Sequence, residues 1–166
     1  FNDIDIVVFS EDMSESNQQR IVTKYTGTMI GDIQVCAQDI GIEDSVHDYF
    51  THRDLTINQV VVYCDNNHDI WLLHTAVWEV HSREGVLAPV ITAVDSGLAL
   101  AFEEHDGEIC NSPKLVSRAI VAFGKSRGIS CKFMPGTLKY YSREHLPTSS
   151  LFYIFKNVPA DRFHAV

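Results

Sequence analysis

The stretch from Ser112 to Gly128 constrains the fold more than any other part of this chain. Ser112 is a good N-cap, Pro113 suits a first helical position, and Gly128 reads as a terminator. Between them Leu115, Val116, Ala119, Ile120 and Phe123 recur at helical spacing, while Lys114, Arg118, Lys125 and Arg127 fall outside that stripe. The pattern predicts an amphipathic helix over 113–127, and its apolar stripe must be buried against another layer.

The other segments suggest what that layer is. Ile4 to Phe9 is a short apolar run that reads as a strand. Ser16 with Gln19 resembles a capping box, and Ile21, Val22 and Tyr25 follow at helical spacing. A second helix is predicted from Asp32, with Ile33, Cys36, Ala37 and Ile40 on one face and Gly41 as its stop. Asp44 is placed to cap a shorter helical piece carrying Val46, Tyr49 and Phe50. Asn58 to Cys64 and Ile70 to Val80 read as two strands of a hairpin, joined by the turn-forming Asp65-Asn66-Asn67-His68-Asp69. Ile70, Leu73, His74, Val77 and His81 also fit a helix, so residues 70–81 carry two readings, and the preceding turn favours the strand. Strands are further expected over 86–94, 98–102, 129–134 and 150–156, with a short helix over 138–146.

Helices and strands do not alternate strictly in this order, which argues against a doubly wound sheet. The expected class is α/β of the α+β kind: one globular domain over 1–166, with a mixed, mostly antiparallel sheet flanked by helices. A length of 166 residues with 45% apolar and 21% charged content suits such a domain. No apolar run approaches the ~20 residues of a membrane span, and no signal-peptide pattern is visible. The chain opens on Phe1 rather than Met, which suggests a processed product or an excised domain. Cys36, Cys64, Cys110 and Cys131 form no C-x-x-C pair, so buried free thiols and a cytoplasmic setting are expected.

Charge is sorted along the chain. Residues 1–110 hold 20 of the 22 acids and 4 of the 13 bases, whereas residues 111–166 hold 2 acids, Glu144 and Asp161, against 9 bases. Segregation on this scale points to two partners of opposite sign, or to self-association through opposite charges.

One short segment carries a family resemblance. Tyr140-Tyr141-Ser142-Arg143-Glu144-His145-Leu146 resembles the F-Y-x-K-x-G-F segment that ends the penultimate helix of many GNAT acyltransferases, and the element order is similar to theirs. The resemblance implies transfer of an acyl group from acyl-coenzyme A to an amine. It implies that Tyr141 is the acid that protonates the departing thiolate, a role suited to a phenol of high pKa. Tyr141 and Glu79 are then the candidate catalytic residues. Arg118, Lys125 and Arg127 are the candidate coenzyme-binding cations, and the acidic half would attract the amine. The family's R/Q-x-x-G-x-G/A loop has no match at the corresponding junction, Phe102 to Asn111. That stretch holds a single glycine and four carboxylates, Glu103, Glu104, Asp106 and Glu108.

Two other readings stand beside acyl transfer. The first is a non-enzymatic protein-interaction module that uses an acidic N-terminal part and a basic C-terminal part. The second is a metal-dependent hydrolase built on Cys64, His68, His74 and His81, with His105, Asp106 and Glu108 further on. None of these spacings matches an established metal motif, so no metal ligand is assigned. A net charge of −9 opposes nucleic-acid binding, despite aromatic residues and bases in the last third.

Overall fold

A computed structural model describes residues 4–91, 102–127, 129–134 and 146–166. By its contacts the chain divides into two compact units, Phe1–Tyr49 and Phe50–Val166. Tyr141 and the helix expected over 138–146 fall almost wholly outside the described residues.

In the first unit β1 (Ile6–Phe9) pairs in parallel with β4 (Ile40–Glu43), in the register Ile6 to Ile40 through Phe9 to Glu43. A parallel pair needs a crossover, and α1 (Glu15–Tyr25) supplies it. The cap is Ser14, two residues ahead of the expected Ser16. Its Oγ accepts from Asn17 N at 3.4 Å, and Asp12 Oδ1 accepts from Ser14 N at 3.0 Å. The hydrogen bonds from Ser14 hold the Asp12 carboxyl below its usual range. Buried Asn17 donates to Ser10 Oγ and Asp12 O, which ties the helix start to the end of β1.

The helix predicted from Asp32 does not form. Residues 29–43 make a small hairpin of β2 (Met29–Ile30) and β3 (Ile33–Gln34), a 3-10 turn at Ala37–Asp39, and then β4. Gly31, at φ 58°, supplies the left-handed step of the hairpin, and Asp39 Oδ2 accepts from Cys36 N at 2.8 Å to hold the turn. The apolar spacing of 33, 36, 37 and 40 suits a helix equally well, but pairing of Ile40–Glu43 with β1 overrides it. The α2 helix (Val46–Thr51) follows, with Ser45 Oγ accepting from Asp48 N at 3.1 Å.

In the second unit β5 (Val60–Cys64) and β6 (Ile70–His74) form the expected antiparallel hairpin, with residues 65–69 as its loop. The strand then stops, short of the predicted Val80. Thr75 caps α3 (Ala76–Glu84) by accepting from Trp78 N at 3.0 Å. Each reading of 70–81 therefore holds for half of it. Gly85, at φ 65°, ends the helix where a Cβ would lie 2.1 Å from Ser130 O. That close approach lets β7 (Val86–Leu87) pair in parallel with β10 (Lys132–Phe133).

β8 (Phe102–His105) and β9 (Glu108–Asn111) form a second hairpin through Asp106-Gly107, both at positive φ. It leads directly into α4 (Pro113–Lys125), capped by Ser112 as predicted. One face of α4 buries Leu115 and Ala119 with Leu55, and Ile57, Phe102 and Phe133 pack around them. Further along, Val121 joins Ile154 and Val158 in a second cluster.

Residues 150–156 are not the expected strand. They belong to α5 (Thr148–Asn157), which buries Ser150 and Ile154, four residues apart on one stripe. Aromatic residues favour strands, but only a helical stripe meets α4 here. A 3-10 turn over Ala160–Ala165 completes the unit. Among the described residues three of five strand pairs are antiparallel, and helices flank them, so the chain has the mixed α+β class expected. No described helix is long and apolar enough to cross a membrane.

Candidate functional site

The β5–β6 hairpin is firmly built at both ends. At its tip Asp65 Oδ1 accepts from Asn67 N at 2.8 Å and Asp69 N at 3.0 Å, and Oδ2 accepts from Trp71 Nε1 at 2.8 Å. The indole bond foremost, with the Asp69 and Asn67 amides, holds the Asp65 carboxyl below its usual range. His68 takes φ 64° to close the turn. At its base buried Gln59 donates to Phe50 O at 2.9 Å and accepts from Thr75 Oγ1 at 3.1 Å. Trp78 Nε1 donates to Ile57 O at 3.0 Å, which fastens α3 beside that base.

What this frame presents is apolar on both faces. The register sets Val62, Leu72, Cys64 and Ile70 on one face and Tyr63, Trp71 and Leu73 on the other. Ile70 is 77% exposed, Val62 66% and Trp71 51%, and Leu72, Tyr63 and Leu73 are also exposed. Strands with continuous apolar runs are ordinarily buried on both sides. Here only Val60 and Val61, at the base, are half-buried, and the rest of both faces is exposed among the described residues.

A second apolar surface lies on α5. Phe152 is 72% exposed and Phe155 58%, and Phe155 packs edge-on to Phe163 with ring centres 5.5 Å apart. The charges around it are mainly positive. Lys156 lies on α5 itself, Lys125 ends the adjoining α4, and Arg162 Nε donates to Gly124 O at 3.4 Å. The nearby acid, Asp161, is engaged by Arg127.

The residues singled out from sequence are dispersed. Glu79 is exposed in the first turn of α3 and makes no ion pair to Arg118, Lys125 or Arg127 among the described residues. Arg118 pairs with Asp54, whose other oxygen accepts from Leu55 N and Asn58 Nδ2, both at 2.8 Å. Asp54 thus organises the loop beneath α4, a role its sequence context does not signal. Arg127 is held by Asp161, and Lys125 is exposed. At the start of α4, Ser112 is 2% exposed and its Oγ accepts from Leu115 N at 3.1 Å, so the buried cap already occupies that first-turn amide.

The histidines are not gathered either. Cys64 faces Ile70 and His74 faces Val60, which puts the two about 13 Å apart along the ribbon. His74 Nδ1 donates to Thr75 O at 2.9 Å, and the ring packs at a tilt on Trp78, with ring centres 4.7 Å apart. No group of three or more His, Cys, Asp or Glu that could hold a metal exists among the described residues. His81 Nδ1 lies 2.8 Å from Thr56 Oγ1, a pairing that would suit a nucleophile and its base. Thr56 is buried, however, and its N donates to Ala88 O, so the pair fastens α3 to the core rather than facing a substrate.

No disulfide joins the cysteines: Cys36 and Cys64 are exposed, against the expectation of burial, Cys131 is half-buried and Cys110 is buried. Burial pushes the Cys131 thiol up. Compared with family models, with curated proteins and with solved structures, the chain matches none.

Proposed function

We propose that this chain is a non-enzymatic interaction module that docks a protein partner through the β5–β6 hairpin. One observation carries the reading: all five residues of β6, Ile70 to His74, are exposed, and four of them are large and apolar. Exposed apolar surface of this continuity is costly to leave in water and marks an interaction site. The hydrogen bonds at both ends of the ribbon add to this, because a preformed surface loses little freedom on binding. The four unpaired thiols fit a cytoplasmic setting for such a module.

Cys64 is a built-in reporter, since it shares the aliphatic face with Ile70. Its alkylation by a permeant maleimide should be slowed in intact cells relative to dilute purified chain. Cys36, exposed in the first unit, serves as the reference thiol. Equal rates for Cys64 in the two settings would remove the reading.

Acyl transfer from coenzyme A to an amine, in the manner of a GNAT protein, is the second reading. In its favour, Lys114 and Lys125 on the outer face of α4 have no carboxylate partner among the described residues. The buried Ser112 cap weighs against it, because a pyrophosphate would need those helix N-terminal amides.

A further inference from the structure

We propose that the chain associates head to tail with a second copy of itself, the β5–β6 hairpin of one molecule seating on the α5 surface of the next. The inference rests on the reading of the hairpin as a docking surface and names its occupant. Charge complementarity selects that occupant. Between Gln59 and Thr75 the hairpin carries Asp65 and Asp69 and no lysine or arginine. The α5 surface carries Lys156, with Lys125 and Arg162 beside it, while its neighbouring acid is already engaged by Arg127. Each surface is apolar at its centre, and the two rims have opposite sign. That is the arrangement expected of partners that exclude water at the core and steer by charge at the edge.

Neither surface is covered within its own molecule among the described residues, and one intermolecular contact covers both. The two patches differ, so the contact is heterologous. It propagates into a ring or an open filament rather than closing as a two-fold dimer.

Sedimentation of the purified chain over a wide concentration range tests this. The average mass should rise above that of the monomer as concentration increases. Changing Ile70 and Leu72 to Ser, or Phe152 and Phe155 to Ser, should each weaken self-association by at least about tenfold. Mixing the two variants should restore a complex that stops at one-to-one, because each retains the surface the other lacks. Should either double variant misfold, single charge reversals serve instead. Asp69→Lys or Lys156→Glu should each weaken association about two- to fivefold, and the two together in one chain should recover it. A wild-type chain that stays monomeric throughout overturns the proposal, as does an α5 variant that still self-associates through its hairpin. If the pure chain is monomeric while Cys64 is protected in cells, the hairpin docks a different protein: self-association fails and the module reading survives. If Cys64 is accessible in both settings, the two fail together.

Discussion

The indole Nε1 of Trp71 donates to Asp65 Oδ2 at 2.8 Å, across the mouth of a hairpin whose apolar faces are open to solvent. This bond ties the most acidic part of the ribbon to its largest aromatic. It also makes the hairpin sensitive to one carboxyl group.

That sensitivity has a defined sign. The folded-state pKa of Asp65 is lowered, so its contribution is fully present above the ordinary carboxylate range of roughly 4 and is lost as pH falls through the lowered folded value. The Trp71 indole N–H resonance should therefore hold its position above about pH 5 and move only in more acid solution. Asp65→Ala should shift that resonance at neutral pH and increase amide exchange over residues 65–71. A resonance that titrates near neutrality would show that another group controls the turn.

The parts legible in the sequence are those whose signals are local. Ser112, Pro113 and a five-residue apolar stripe define α4, and the Asp65–Asp69 run defines the hairpin loop. Thr75 ahead of Trp78 holds the cap that ends β6, but a continuous apolar run masks it. Asp106-Gly107 likewise carries a strong hairpin signal within a stretch read only as the entrance to α4. The α5 helix was not legible, because a short aromatic run fits strand and helix alike and contact with α4 decides between them. The candidate site was hidden for a related reason. Val60–Cys64 and Ile70–His74 read as the strands of a hairpin, and only the packed structure shows that, among the described residues, Val62–Cys64 and all of Ile70–His74 are exposed.

Gly124 tests how tightly α4 and α5 are seated. A Cβ there would stand 2.8 and 2.9 Å from the two methyl groups of Val158, which is buried and β-branched and so has little room to turn. Gly124→Ala gains about 1 kcal/mol of helix propensity but should lose about 1–3 kcal/mol to overpacking. Net destabilisation is the expected result in urea unfolding, and Val158→Ala in the same chain should return part of it. A stabilised single variant would mean that the α4–α5 contact opens without cost.

The thiols should react in the order of their access. Cys36 and Cys64 are exposed and should be alkylated first, whereas Cys131 should be slower because burial raises its pKa and reduces its thiolate fraction. Cys110, wholly buried in β9, should react only as the chain opens. Mass spectrometry after timed alkylation reads this order directly. Early labelling of Cys110 would place the β8–β9 hairpin among the first parts to unfold.

Ser112 decides between a structural and a coenzyme-binding start to α4. Its Oγ satisfies Leu115 N at 3.1 Å, and its O accepts from Val116 N at 3.0 Å, in a position almost closed to solvent. Ser112→Ala would leave the Leu115 amide without its acceptor, in a setting where water cannot easily replace it. The expected cost is about 1–2 kcal/mol, seen as a lower denaturation midpoint with an unchanged denaturant slope. Saturating acetyl-coenzyme A should raise the melting temperature of neither form, since ligand binding to the native state would have to appear as stabilisation. A clear upward shift of the unmodified chain would instead show that the helix start opens to a phosphate, and acyl transfer would then displace docking as the first reading.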